Sequence, residues 1–254
     1  MKTIAFSTIK GGTGKTSIAI LLGNRLARSG QRVLMLDLDI QNSLSFYYLA
    51  DPGEAAERNL ARALLERDLP GNILDSGYSE NIKIIPSALE LVDLRALNEK
   101  TLTRLKPQIA EDFDICIIDT PPSYDNLVLN GLQAADLIIS PCRLAGFDYK
   151  GLHFLKGKIM EDLCCPDSWK ILINFYRKPR SNKEDNPTRQ YLSLFRESFP
   201  NILPFEIPET TLIRKAIDTG ETVSQAIAKQ GVFNATAQLA DLVAEKELVL
   251  EGSF

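Results

Sequence analysis

Lys10-Gly11-Gly12-Thr13-Gly14-Lys15-Thr16 sits directly behind the apolar run Thr3-Ile4-Ala5-Phe6, and its residue types suit one task, holding a polyphosphate. Glycines let a backbone curl until successive N–H groups point at one anion, and the start of the next helix adds its dipole to the same hollow. Lys15 brings a mobile positive charge to the β- and γ-phosphates, and the Thr16 hydroxyl is a ligand for Mg²⁺. Ser17 opens the apolar, helix-length segment that must follow such a loop. Gly11, Gly12, Thr13, Gly14, Lys15, Thr16 and Ser17 are therefore the candidate nucleotide-binding set. A Gly-rich turn that binds nothing would have to place three glycines, a lysine and a hydroxyl at these offsets by chance.

A second lysine at the front of the loop needs its own reason. From its own subunit Lys10 would have to fold back over glycines that give it little support, whereas from a facing subunit it could reach straight across to a phosphate. Here the chain resembles the deviant Walker A ATPases, the ParA/Soj/MinD family, whose loop reads K-G-G-x-G-K-[ST]. The resemblance implies that Lys10 reaches into a partner's nucleotide across a face-to-face dimer. An exposed loop lysine is the plain alternative.

Two further segments match the same family in order. The run from Val33 through Asp37, Leu38 and Asp39 to Gln41 is an apolar strand ending in alternating aspartates, similar to the family's D-x-D-P-Q. Acids at the carboxyl end of a parallel strand face the same crevice as a phosphate loop. The resemblance makes Asp39 the residue that orients the attacking water near the metal, with Asp37 in support, while Ile40 stands where the family has proline. The run from Asp114 to Pro122 resembles a Walker B strand and the family's D-x-P-P turn, which implies that Asp119 holds Mg²⁺ through a water. An apolar strand ending in Asp is weak evidence alone and stronger as the third motif of a set. The implied catalytic residues are Lys10, Lys15 and Asp39, with Thr16, Asp39 and Asp119 at the metal, ATP as substrate and Mg²⁺ as cofactor.

Asn174 ends the apolar strand Ile171-Leu172-Ile173 and resembles the family's L-I-N segment beside adenine, although an Asn capping a strand end would read the same. Pro208-Glu209-Thr210 resembles the I-P-x-x loop beside the base, with Thr210 where many relatives carry Asn. Partition members of the family bind nonspecific DNA as ATP dimers, and division-site members bind membranes through an amphipathic C-terminal helix. The tail from Leu239 to Glu251 carries four acids against one lysine. An anionic bilayer would repel that face, so it reads as a docking helix and no membrane is expected. The net charge of −4 confines any DNA surface to a local patch. Candidates are Arg177, Lys178, Arg180 and Arg189 in a polar stretch, then Arg214 and Lys215. Glu184 and Asp185 among them allow a plain solvated surface, and an arginine of the relatives aligns with Leu212. Residues 145–151 lie along the dimer face in relatives, where Lys150 would contact the other subunit or point into solvent. Phe46-Tyr47-Tyr48 reads equally as core or as a partner-contacting patch.

These groups need a frame. Short apolar runs predict strands near residues 3–7, 32–37, 82–86, 114–119, 136–141, 170–174 and 202–207. Helical patterns fall at 15–28, 55–67, 89–110, 151–163 and 233–247. The alternation predicts an α/β fold: a doubly wound, mostly parallel sheet with helices on both faces, as in a P-loop NTPase of the deviant Walker A type, in a single ParA-like ATPase domain over residues 1–254. At 44% hydrophobic the chain can bury a core without disulfides. Its four cysteines include the adjacent pair Cys164-Cys165, poorly placed to chelate one metal. The first residues run straight into the phosphate loop, so no secretory leader is expected.

Together these features point to a ParA-like ATPase that forms a homodimer around two Mg-ATP and binds nonspecific DNA in that state. A ParB-like or adaptor protein would stimulate its slow hydrolysis, and the cargo positioned would be a plasmid, a chromosome region or a protein assembly. The expected location is cytoplasmic, on the nucleoid in the ATP state. One alternative is a MinD-like membrane-associated regulator. Another is a metabolic P-loop phosphotransferase acting on a small-molecule carboxylate, against which Lys10 and the lack of an appended substrate domain speak.

Overall fold

Val33–Asp37 and Ile115–Asp119 carry no charged residue before their final aspartates, and every position of both strands is buried, as strands covered on both faces require. The computed structural model describes residues 1–163, 166–179, 186–211 and 232–245. Its strands are β1 (Lys2–Phe6), β2 (Val33–Asp37), β3 (Leu74–Asp75), β4 (Ile82–Ile85), β5 (Ile115–Asp119), β6 (Leu137–Cys142), β7 (Trp169–Tyr176) and β8 (Ile202–Pro208). They form one sheet in the order β3-β4-β2-β5-β1-β6-β7-β8. All pairs are parallel except β3 on β4. β5 lies between β1 and β2, so that Asp119 pairs in register with Phe6 on one side and Asp37 on the other.

The helices are α1 (Lys15–Arg28), α2 (Ser43–Tyr48), α3 (Leu60–Glu66), α4 (Thr101–Leu105), α5 (Asn126–Ala134), α6 (Gly146–Lys158), α7 (Pro187–Ser198) and α8 (Val232–Val243). Side chains alternate across each strand, so the sheet feeds two cores. Ile4, Phe6, Met35, Ile117 and Ile139 pack with α1, α2 and α8 on one face. Ala5, Leu34, Ile118, Ile138 and Ile171 pack with α3 to α7 on the other. α8 buries Val232, Ala235, Leu239 and Val243 in the first core, so the described part of the tail docks on the domain. Among the described residues no helix is long and apolar enough to cross a membrane.

α1 has the limits its pattern predicts. The pattern at 55–67 breaks into a 3-10 turn, Pro52–Ala56, and α3, which starts behind Asn59 because its side chain accepts the Arg62 N–H at 3.0 Å. The stretch 89–110 is not one helix but two 3-10 segments around the short α4. Buried Asn130 of α5 causes the break: it accepts the Leu102 N–H (3.0 Å) and donates to the Asn98 carbonyl (2.9 Å). Pro107 then removes a backbone donor. α6 begins at Gly146, earlier than the pattern at 151–163 suggests, and runs into a π-helical turn, Ile159–Leu163. α7 begins inside the polar stretch, capped by Asn186 with Pro187 in its first turn. α5 itself is announced by Asp125, which accepts the Val128 N–H at 3.1 Å. Two-residue β3 is too short to leave a pattern.

Candidate nucleotide-binding site

Between β1 and α1 the chain crosses the carboxyl ends of the central strands. Gly12 (φ 72°) and Gly14 (φ 95°) take the left-handed backbone that side chains resist, and a Cβ on Gly14 would lie 2.3 Å from Asn174 Nδ2. Gly14 is also the N-cap of α1, so the N–H groups of Lys15, Thr16 and Ser17 have no partner within the helix and share its positive end. The loop is held from behind by side chains. Thr8 Oγ1 donates to the Lys10 carbonyl (2.9 Å) and lies 3.0 Å from Thr13 Oγ1, while Asn174 Nδ2 donates to the Thr13 carbonyl (2.8 Å).

Lys15 Nζ makes one long contact, 3.4 Å to Thr8 Oγ1. Burial lowers its pKa, opposed by the charges of Asp119 and Asp39. An ammonium withdrawn from water with so weak a hydrogen-bond partner has donors to spare, which β- and γ-phosphates would take up. Thr16 Oγ1 donates to Asp119 Oδ2 at 2.5 Å. The other Asp119 oxygen is buried and takes no hydrogen bond from the protein. Burial, followed by the charge of Asp37, pushes the Asp119 pKa up to about 8. A carboxylate oxygen left unsatisfied beside a hydroxyl is a pair of hard donors. It fits Mg²⁺, which takes one or two protein ligands and completes its shell with water and phosphate oxygens.

Asp37 is fully buried and accepts from Ser45 N (2.9 Å), Ser45 Oγ (2.7 Å) and Asp39 N (3.0 Å). Burial lifts its pKa to about 6 against those hydrogen bonds. It thereby fixes the turn that presents Asp39, whose own Oδ1 accepts the Gln41 N–H at 3.0 Å. Ile40, in place of proline, packs half-buried against the core.

Lys10 corrects an expectation. It has support within its own chain: Nζ lies 2.7 Å from Asp148 Oδ2 and 5.6 Å from the centre of the Phe147 ring. The early start of α6 places Asp148 there, nearly fully buried, with its other oxygen accepting the Arg143 N–H at 3.1 Å. Lys150, two residues on, is exposed.

Asn174 stands under the loop. It does not end its strand, since β7 runs on to Tyr176; its oxygen accepts the Phe175 N–H (2.9 Å), and its nitrogen grips the Thr13 carbonyl, which neither reading of the sequence foresaw. Pro208 ends β8, Glu209 donates its N–H to the Tyr176 carbonyl (3.0 Å), and half-buried Thr210 follows. A cleft of ≈ 410 Å³ opens here, lined by Arg143, Phe175, Tyr176, Arg177, Thr188 and Glu209. Arg177 is paired with Glu209 of the same chain, so two residues assigned to different partners hold each other. Lys178 and Arg189 are exposed. Arg180, Arg214, Lys215 and the Cys164-Cys165 pair lie outside the described residues. Phe46, Tyr47 and Tyr48 divide: Tyr48 is wholly buried, Tyr47 half-buried, and Phe46 is 82% exposed. Thr8, Arg143, Asp148 and Phe175 were not singled out from the sequence, because none belongs to a motif; Arg143, Asp148 and Phe175 matter through contacts distant in sequence, and Thr8 through contacts within the loop that follows it.

Residues 1–161 match the family model AAA_31, an AAA domain. The chain belongs to this ParA-like family of P-loop ATPases. It is 27% identical to the maintenance of carboxysome distribution protein A of Synechococcus elongatus, over 88% of this chain and 92% of the relative. It is 33% identical to the chromosome-partitioning ATPase Soj of Treponema pallidum, over 61% of this chain and 62% of Soj. Among solved structures, an ATP complex of McdA from Cyanothece superposes with a TM-score of 0.81 at 20% identity, covering 99% of both chains, a likeness of fold. Cobyrinic acid a,c-diamide synthase from Mycobacterium smegmatis with bound ADP and magnesium gives 0.70 at 26% identity, over 92% of this chain and 96% of that one. This ParA-like chain is accordingly an ATPase that uses ATP and Mg²⁺.

Proposed function

We propose that the chain is one ATPase unit that dimerises around two Mg-ATP, binds nonspecific DNA as the dimer and positions a cargo, with hydrolysis stimulated by a ParB-like or adaptor protein. Lys15 and the amides of residues 11–17 bind the β- and γ-phosphates, and Thr16 and Asp119 hold the cation. Mg²⁺ supplies neutralisation of the phosphate charge. Asp39 orients the attacking water, on a turn kept in place by Asp37. Asn174 and the loop Pro208-Glu209-Thr210 border the base. The named relatives that maintain carboxysome distribution and partition chromosomes support a positioning role. So does the docked α8, which leaves the described tail committed to the domain rather than to a bilayer.

One observation carries the dimer: Lys10 sits at the rim, half-exposed and paired with Asp148, while Lys15 lies buried in its own cradle. Exchanging Asp148 for a partner's phosphate would free it to cross between subunits. Light scattering should therefore show dimers of the wild type with ATP and none with ADP, and Lys10→Ala should bind ATP as a monomer. ATP-loaded wild type should co-sediment with plasmid DNA and not with anionic liposomes. Normal ATP dimers of Lys10→Ala would remove the cross-subunit role, and ATP-dependent sedimentation with liposomes alone would replace the DNA reading with the membrane one.

A further inference from the structure

We propose that Arg143 is a positioning residue of the phosphate loop: its guanidinium, laid against the Phe175 ring, captures the Gly12 carbonyl and so aims the Thr13 N–H into the cradle. Arg143 Nη2 donates to the Gly12 oxygen at 2.6 Å, and its guanidinium carbon lies 4.5 Å from the centre of the Phe175 ring. In a trans peptide the carbonyl of one residue and the N–H of the next point in opposite directions. Whatever pulls the Gly12 oxygen outward therefore turns the Thr13 N–H inward. The neighbouring peptides are set in the same way: Thr8 Oγ1 holds the Lys10 oxygen and Asn174 Nδ2 the Thr13 oxygen. Those two grips turn the N–H groups of Gly11 and Gly14. The peptide after Gly12 is the one most open to a flip, since its first residue has no side chain and already sits at φ 72°. A flipped peptide would present a carbonyl oxygen to the anion instead of a donor.

Arg143 is itself held for this task. Its backbone N–H is fixed by Asp148 (3.1 Å) and its carbonyl by the Ala145 N–H (2.9 Å). Phe175 takes a left-handed backbone (φ 56°), unusual for an aromatic residue, and its N–H is secured by Asn174. Adjacent residues at the end of β7 thus hold consecutive loop peptides, Asn174 directly and Phe175 by way of the arginine it supports.

The inference rests on the loop being the nucleotide site, and its test separates the two. The β-phosphate that loop amides meet is common to ADP and ATP. Titration with fluorescent ADP and ATP should show Arg143→Ala losing affinity for both by the same factor, about tenfold for a hydrogen bond from a charged donor. KM should rise rather than turnover at saturation fall, and the melting temperature without nucleotide should be unchanged. Arg143→Lys should recover part of the affinity, because an ammonium can also donate to the carbonyl, and Phe175→Leu should give a smaller loss, again equal for both nucleotides. A loss confined to ATP would mean direct contact with the γ-phosphate and overturn the proposal. Unchanged affinities, or a lower melting temperature without an affinity change, would overturn it as well. Lys15→Ala, titrated alongside, tests the underlying reading: if it binds as the wild type does, the loop is not the site at all.

Discussion

Asp119 is asked for two opposed things, to sit in the core at the end of a central strand and to carry a charge for a cation. Burial first, and then the charge of Asp37 across the register, push its pKa up to about 8 against the single hydrogen bond from the Thr16 hydroxyl. An unfolded aspartate titrates near 4, so the folded, nucleotide-free state binds this proton more tightly than the unfolded chain does. The resulting stability is full below about pH 4 and is lost as pH rises through the folded value. Asp119→Asn removes the buried charge and should melt above the wild type in the absence of Mg-ATP. The gap should widen from acid to pH 8, and Mg-ATP should raise the melting temperature of the wild type only. Asp37, shifted in the same direction, remains in both proteins and largely cancels. Scanning fluorimetry at pH 5 and pH 8 measures this, and an equal gap at the two values would rule out burial as the cause.

A loop is only as well placed as the strand ends around it. Gly14→Ala meets two obstacles, the left-handed φ of 95° and an Asn174 amide 2.3 Å from the new Cβ. The amide would have to release the Thr13 carbonyl. Calorimetry should show ATP affinity reduced by more than about tenfold, beyond the roughly 1–2 kcal/mol that the backbone strain alone costs folding, with the sheet intact by circular dichroism. Affinity within twofold of the wild type would show that Asn174 does not brace the loop. Much of this was legible beforehand, since glycines, lysines and terminal aspartates are local signals whose chemistry and place at a strand end coincide. The limits of α1 and the ends of β1, β2 and β5 follow from that. What was illegible depends on distant partners. Asn130 breaks the pattern at 89–110 from another helix, α6 starts early enough to bring Asp148 under Lys10, and Arg143 reaches Gly12 across the crevice. No local window contains both ends of those contacts.

Across the whole molecule, α6 links the phosphate loop to the surface proposed for DNA. Asp148 holds Lys10 on one side of the helix start, and Tyr149, the next residue, packs on Phe195 and Phe199 at α7, which carries Arg189. If a dimer sets both copies of Arg189 on one duplex, Arg189→Ala should flatten the slope of log K against log[salt] by about 2, since each phosphate contact contributes about 0.9. Sequence preference should not change. A slope equal to that of the wild type would place the DNA surface elsewhere. The sheet order has one more consequence, which concerns how the protein is made. β5 separates β1 from β2, so these two strands, successive in the chain, have no pairing with each other to rest on. The loop sequence is complete by Thr16, yet β5, which flanks it, ends only at Asp119. β2 can pair with β4 once Ile85 is made, but β1, whose neighbours are β5 and β6, stays unpaired and the cradle incomplete until β5 follows, roughly 5–20 s at synthesis rates of about 5–20 residues per second. Nucleotide can therefore stabilise the finished domain but not guide its early folding, and shielding in that interval falls to whatever chaperone meets the chain at the exit tunnel.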